Sequence, residues 1–361
     1  MHVLMLRPQC ELGGVSNHLV LLVSGLRQRG HNVMMATTGG SMAPRVAAAG
    51  ASLLIVPELY PSRLSGMLRA VLRLSVLVRV STVEVLHSHH RFTTVVGGFV
   101  ARLTGRPLVV TVHEFKTNWA RLASFWTSDS VIVPSNALRD HLVSFHNIPA
   151  GQITVVPNAI ALPETPMPWS RAGRRPPMIG YIGRLSEEKG ARYFVESLPL
   201  IRQAVPDLQA IVVGDGSEHG LIRSLAQKLG LDPDKLLLGS RDDVLALMSK
   251  LDLVVVPSVA ESFSLVALEA MHLGLPVVAT RVGGLVDLVR DGETGRLVEP
   301  RNPVALATAV IELLGDPALM AVMGARGRQV AVRDYSPDAM VERTVNVYSR
   351  VLVGVSQYTR A

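Results

Sequence analysis

At 361 residues, 48% of them hydrophobic but only 4% aromatic, the chain is long enough for two separate cores, and both must be aliphatic. A single cysteine, Cys10, excludes an intrachain disulfide and a cysteine-based zinc site, and no run of ~18 apolar residues is present to span a bilayer. The net charge of +7 points to anionic partners such as nucleotides, phosphates, acidic glycans or lipid headgroups, whereas scattered basic residues with few aromatics argue against nucleic acid.

Short aliphatic runs alternate with helical patterns along the chain, which predicts an α/β protein with parallel sheets covered on both faces. The opening MHVLMLRP is too short for a signal peptide and reads as the first strand. HNVMMAT, SLLIVP, VEVLHSH, PLVVTVH and SVIVPS read as further strands, and ITVVPNAI closes this series. VSNHLVLLVSGLRQRG reads as an amphipathic helix with Gly30 at its C-terminal cap. In PSRLSGMLRAVLRLSVLVRV, residues 61 to 80, helical projection puts Leu64, Met67, Val71, Leu74 and Val78 on one face, with Arg63, Arg69, Arg73 and Arg79 off it. A membrane-surface helix has this pattern, and so has a helix packed on its own sheet; its place between two strands favours the second. A reducing cytoplasm is the expected location, with peripheral contact at the inner face of the membrane left open.

The proline-rich LPETPMPWSRAGRRPP, 162 to 177, has no apolar periodicity and reads as an interdomain linker. It divides a first domain, 1–163, from a second, 174–335. MIGYIG, LQAIVVG, KLLLG, LDLVVVP, LPVVAT and GRLVEP are the second domain's expected strands, and two helical stretches, split near Pro337, end the chain.

Polar and glycine-rich clusters fall at the C-terminal ends of these strands, where ligands of open α/β sheets bind. In GYIGRLSEEKG, Arg184 and Lys189 sit on the loop after a strand, next to a helix start at Gly190. Two cations beside helix amides suit a diphosphate, although an ordinary surface loop carries equal weight on this motif alone. In ESFSLVALEA, Glu261 falls in a loop and Glu269 about two turns into a helix that begins near Ser264. Eight positions return to within about 80° of the same helix face, so both carboxylates can reach one elongated ligand. The amides of Ser264, Leu265 and Val266 would open that helix, where anions are favoured.

Three patterns read as decoys. Asp232 and Asp234 of LDPDK mimic a metal-binding D-x-D but lie away from the strand ends, as a solvated turn. HSHH, His87 to His90, with His113 has no carboxylate or cysteine at ligand spacing and reads as polar cleft lining for an acceptor. VVGDGSEHG lacks the dinucleotide spacing, which argues against a dehydrogenase.

Taken in order, Gly13-Gly14, Thr111-Val112-His113, VVPNAI, Gly183-Arg184 with Lys189-Gly190, Gly214-Asp215-Gly216, the E-x7-E pair Glu261 and Glu269, and GLPVVATRVGG resemble the retaining glycosyltransferases of family 4 over essentially the whole chain. The resemblance implies the GT-B fold: two Rossmann-like doubly wound parallel-sheet domains facing a central cleft. It implies that Arg184 and Lys189, beside Gly183, neutralise the donor diphosphate, that Glu269 binds the ribose hydroxyls and that Glu261 binds those of the transferred sugar. Gly14 would bring its amide to the phosphates, and His113 would lie beside the donor sugar. The base would rest near Gly214 to Gly216 and GSRDDV, which holds Arg241. The implied substrates are a nucleotide sugar, UDP favoured, and a glycan or lipid-linked acceptor, with neither metal nor cofactor, as in bacterial glycan, polysaccharide or glycolipid synthesis. A C-terminal helix from Ser336 would return to the first domain through Met340, Val341, Val345, Tyr348 and Leu352. With His113 and Gly14 in one domain and the other site residues in the second, the donor is expected to draw the two together. Ser264 stands where the family often has Gly, which bears on the sugar pocket; Asp287 replaces a frequent Glu, and no Gly or Asp follows Asn158. Two other readings remain: a nucleotide-sugar epimerase on the same fold, and a non-catalytic sugar-nucleotide-binding subunit of a glycan assembly complex.

Overall fold

The computed structural model describes residues 1–60, 64–115, 128–161 and 176–358, so the segment 162–175 of the expected linker lies outside the described residues. The chain divides into two units, Met1–Ala161 with Ser336–Ala361, and Leu162–Tyr335.

The first unit is a parallel sheet of seven strands: β1 (His2–Leu6), β2 (Asn32–Thr37), β3 (Ser52–Ile55), β4 (Val85–Ser88), β5 (Leu108–Thr111), β6 (Ser130–Val133) and β7 (Ile153–Val155), in the order 3-2-1-4-5-6-7. Its helices are α1 (Gly14–Gln28), α2 (Ala43–Ala48), α3 (Leu64–Val80), α4 (Arg91–Thr104) and α5 (Asn136–His146). The strands read as unbroken aliphatic runs because both faces are covered. Val3, Met5, Val33, Met35, Val85 and Val109 pack towards α1 and α2, while Leu4, Leu6, Leu86, Leu108 and Val110 pack towards α3 and α4.

The second unit is a parallel sheet of five strands: β8 (Met178–Ile182), β9 (Gln209–Val213), β10 (Leu253–Val256), β11 (Val277–Thr280) and β12 (Gly295–Val298), in the order 12-11-10-8-9. Its helices are α6 (Ala191–Ala204), α7 (His219–Lys228), α8 (Pro233–Leu236), α9 (Val244–Met248), α10 (Leu265–His272), α11 (Leu285–Leu288), α12 (Pro303–Gly315) and α13 (Pro317–Asp334). KLLLG, expected as a strand, is instead the end of α8 followed by a lone bridge from Leu237 to Val212. The reason is local: Asp232 caps the turn by accepting from the amide of Asp234, and Pro233 presets the first helical φ.

The last helix, α14 (Pro337–Tyr358), belongs to the first unit. Met340, Val341, Val347 and Tyr348 are buried in that unit's core, with Val345 and Leu352 packed at its edge. Gly25 of α1 admits this close approach: a Cβ there would meet Val341 Cγ2 at 2.5 Å. Deleting residues 336–361 strips the four buried apolar side chains named above from the first unit, at roughly 2–5 kcal/mol each by analogy with large-to-small core changes. The expected outcome is loss of the folded first unit, measured by thermal unfolding; an unchanged melting curve would refute it.

The residues predicted to form one stripe on α3 are divided as a sheet-packing helix requires: Val71, Leu74 and Val78 are buried and Met67 packs beside them, while Leu64's side chain lies outside the described residues. That stripe is therefore core and not a membrane face.

Candidate functional site

In each sheet the strand order reverses at one point, and there the loops leave the C-terminal ends of neighbouring strands in opposite directions and open a crevice. In the second unit that point lies between β8 and β10. The loop after β8 carries Gly183, Arg184 and Lys189; the loop after β10 carries Ser258 and Glu261. Backbone contacts bring the two together. The amides of Val259 and Ala260 donate to the carbonyl of Glu188 at 2.8 and 3.3 Å. Gly190, at φ 66°, lets the chain pass against the carbonyl of Pro257, where a Cβ would collide.

The consequence is an ion pair across 72 positions of sequence: Lys189 Nζ donates to Glu261 Oε2 at 2.7 Å. Ser258 Oγ donates to the same oxygen at 3.3 Å. Glu261 is buried and Lys189 partly exposed, so the cation is the end of the pair that solvent reaches. Arg184, exposed, pairs with Glu188 one turn on at 3.3 Å. Such an exposed pair contributes little to stability, and its guanidinium retains donors for a ligand. Gly183 and Gly214 lie backbone to backbone, since a Cβ on Gly214 would strike the carbonyl of Gly183. Gly214 N–H donates to Gly239 O at 2.8 Å, which sets the loop 239–244 beside it. Gly216 lies against Leu185 in the same manner. Arg241 in that loop is held by Asp243 at 2.8 and 2.9 Å.

Ser264 caps α10, its Oγ accepting from the amide of Ala267 at 3.2 Å, so the amides of Leu265 and Val266 open the helix. Glu269 is the fifth residue of α10, a little over one turn in and not two. Its carboxyl is half-buried, and burial alone pushes its pKa up to about 7. A carboxylate in this setting lacks hydrogen bonds to its ionised form, which a pair of ligand hydroxyls could supply.

In the first unit the reversal lies between β1 and β4. Gly14 is the first residue of α1, and Gly13 before it caps the helix with no side-chain hydrogen bond. His113 follows β5; its Nε2 lies 3.3 Å from Nδ1 of His89, and its ring meets that of His18 edge-on at 5.2 Å. Burial, then the His18 ring and the Arg7 cation, hold the His113 pKa well below the ordinary histidine range. His18 and Arg7 were not singled out in the sequence; helical spacing of His18 from Gly14 by four positions was the available signal.

The HSHH run does not line a crevice as one group. His87 is fully buried, with Nδ1 2.6 Å from Tyr348 Oη and Nε2 2.7 Å from Thr111 Oγ1. His89 is buried against it at 4.0 Å between ring centroids, and His90 caps α4 by accepting from the amide of Phe92. The alternation of β4 turns His87 inward, so its role is to tie α14 to the sheet. Among the described residues no group of three or more His, Cys, Asp or Glu side chains is placed to hold a metal ion.

Burial lowers His18 to about 4 and His87 to about 3. Because the unfolded chain takes up these protons first, near pH 6.5, their contribution is present above that pH and lost as pH falls towards 4. The first unit is therefore expected to lose stability from pH 6.5 downwards, and His87→Asn should flatten that slope in pH-dependent melting; an unaltered slope would count against the burial argument.

Two α/β units, each a parallel sheet with one reversal of strand order, match solved structures over nearly the full chain. A Anabaena protein, HepE, solved with UDP-glucose, superposes with a TM-score of 0.82 at 22% identity, covering 97% of this chain and 100% of that one. The fold is that of the GT-B glycosyltransferases. The chain belongs to glycosyltransferase family 4: residues 12–163 match Glycosyltransferase Family 4, and residues 176–316 match Glycosyl transferases group 1. An uncharacterised glycosyltransferase of Methanocaldococcus jannaschii is 28% identical over 94% of this chain and 95% of its own. A glycogen synthase of Mycobacterium tuberculosis is 30% identical over 78% of this chain and 73% of its own.

Proposed function

We propose that this glycosyltransferase moves a sugar from a nucleotide sugar, with UDP as the favoured nucleotide, to a hydroxyl of a glycan or lipid-linked acceptor, retaining the anomeric configuration and using no metal ion. The observation that carries the reading is the Lys189–Glu261 pair at the reversal of the second sheet, with the half-buried Glu269 on the helix that follows. Lys189 and Arg184 offer the positive charge that a departing diphosphate needs. Glu261 accepts from hydroxyls of the transferred sugar, and Glu269 accepts from the ribose. Gly183, Gly214 and Gly216 let backbone approach the nucleotide, with Arg241 at the edge of the base. The helix-opening amides of Gly14, Leu265 and Val266 and the cap Ser264 favour phosphate oxygens. His113, kept neutral, can donate or accept at the sugar. The HepE complexes with UDP and with UDP-glucose support UDP as the first nucleotide to test.

In this reading the bond from the anomeric carbon to the phosphate oxygen breaks, and its electron pair leaves with the nucleotide. The acceptor oxygen bonds the same face of that carbon and passes its proton to the departing phosphate. The protein supplies position and charge, which are large terms in such chemistry.

A panel of UDP-, GDP- and ADP-sugars with and without hydroxyl acceptors tests it. Acceptor-dependent nucleotide release with a retained anomer, read by NMR, is the expected result. Isomerised sugar without transfer would instead assign an epimerase, and binding without turnover a non-catalytic subunit. Transfer is also expected to persist undiminished in EDTA; a loss restored only by a divalent metal would remove the metal-free reading.

A further inference from the structure

With the inner row of α3 committed to the core, its outer row stands out. Leu68, Leu72, Val76 and Val80 are spaced four apart, so the row advances about 40° per step around the side opposite the buried Ala70, Leu74 and Val78. Phe99 and Leu103, also four apart, extend the apolar surface onto α4, which packs against α3. These six side chains are between 47% and 77% exposed, and they are six of the seventeen large exposed hydrophobics among the described residues. Such clustering is not the scatter of ordinary surface aliphatics.

The charged residues of the two helices have one sign. Neither the 17 residues of α3 nor the 14 of α4 include an aspartate or glutamate. Arg69, Arg73 and Arg79 are exposed among the aliphatic residues of α3, and Arg102 and Arg106 at the end of α4. Arg79 donates to the carbonyl of Leu103 at 2.6 Å, which joins the two helix ends into one surface. Arg73, midway along α3, pairs with Glu58 of the segment before the helix at 3.7 Å.

We propose that the outer face of α3 and α4 docks on an anionic lipid surface. Exposed aliphatic residues enter the headgroup boundary while long arginine side chains extend to the phosphates. A second copy of the chain fits less well: a two-fold contact would set this cationic surface against itself, with no carboxylate on α3 or α4 to pair.

The test is co-sedimentation of the full chain with phosphatidylglycerol vesicles and with phosphatidylcholine vesicles, at about 50 and 500 mM salt. Preferential binding to phosphatidylglycerol, weakened at high salt by screening, is expected. Leu72→Glu with Val76→Glu should reduce that binding at least tenfold, and Arg69→Glu with Arg73→Glu should remove the preference for phosphatidylglycerol. Both positions of the first variant are exposed, so its melting temperature and nucleotide binding should match the parent. Wild-type failure to bind phosphatidylglycerol, or equal binding by the Leu72/Val76 variant, would overturn the proposal. So would concentration-dependent self-association in sedimentation velocity that the same substitutions abolish, since it would assign the face to a second copy.

Discussion

Glu269→Gln is expected to weaken nucleotide binding by about 10- to 100-fold and at the same time to raise the melting temperature above pH 7. The first effect follows from losing charge-assisted hydrogen bonds to ligand hydroxyls, each worth about 1.5–3 kcal/mol. The second follows from the carboxyl's position. Burial raises its pKa from 4.5 to about 7, so the folded protein holds this proton more tightly than the unfolded chain. The associated stability is full below pH 4.5 and is lost as pH rises through 7. Glutamine keeps the group neutral at every pH, so the variant should melt like the parent near pH 4.5 and above it at pH 8. Nucleotide binding by the parent should in turn weaken by up to about tenfold per unit below pH 7, as the carboxyl is protonated, whereas the variant's binding should be flat. Calorimetric titration of UDP from pH 5.5 to 8 checks this. A pH-independent affinity in the parent would remove Glu269 from the nucleotide site.

Lys189→Ala should lower transfer by about 10²- to 10³-fold, the scale seen when one donor to a developing negative charge is removed. The sequence alone leads one to expect little change in folding from this substitution, because Lys189 reads as a loop cation. The structure reverses that expectation. Glu261 is buried and depends on Lys189 at 2.7 Å, so the alanine leaves a buried carboxylate with Ser258 as its remaining donor. Breaking a fully buried pair on one side costs about 3–5 kcal/mol, and because Lys189 is partly exposed the expected loss lies below that range. The double variant Lys189→Ala with Glu261→Gln should recover most of that stability and none of the activity, which traces the loss of stability to the unpaired carboxylate. Arg184→Ala is the contrast: its pairing with Glu188 is exposed, so transfer should fall while the melting curve stays put. Full transfer activity in the stable double variant would exclude Lys189 from the reaction.

The parts of the molecule that the sequence reveals are those encoded by local pattern. Unbroken aliphatic runs announce parallel strands covered on both faces, and the aliphatic stretches of β1 and β10 are buried throughout. KLLLG misleads because three successive leucines suit a strand and a helical turn alike, and Asp232 with Pro233 decides for the turn. Gly190 and Gly214 are legible as loop glycines, but the carbonyls that forbid a side chain there, of Pro257 and Gly183, come from elsewhere in the chain. His87 is a case where the motif itself misdirects: a run of three histidines in four positions suggests a polar surface, yet strand alternation sends His87 into the core to meet Tyr348 of the last helix.

By itself, then, the sequence determines the two α/β sheets, the family motifs and their order, and the placing of Arg184, Lys189, Glu261 and Glu269 on loops and a helix after strands, because periods of 2 and 3.6 and the turn chemistry of glycine and proline are local properties. Only the tertiary structure decides that Lys189 and the buried Glu261 form one pair, since that pairing depends on the order β10-β8-β9 and on the backbone contact at Gly190. It alone decides which row of α3 is core. Apolar residues occupy both sides of that helix, so periodicity names two faces and only packing against β1, β4 and β5 selects one, leaving Leu68, Leu72, Val76 and Val80 outside.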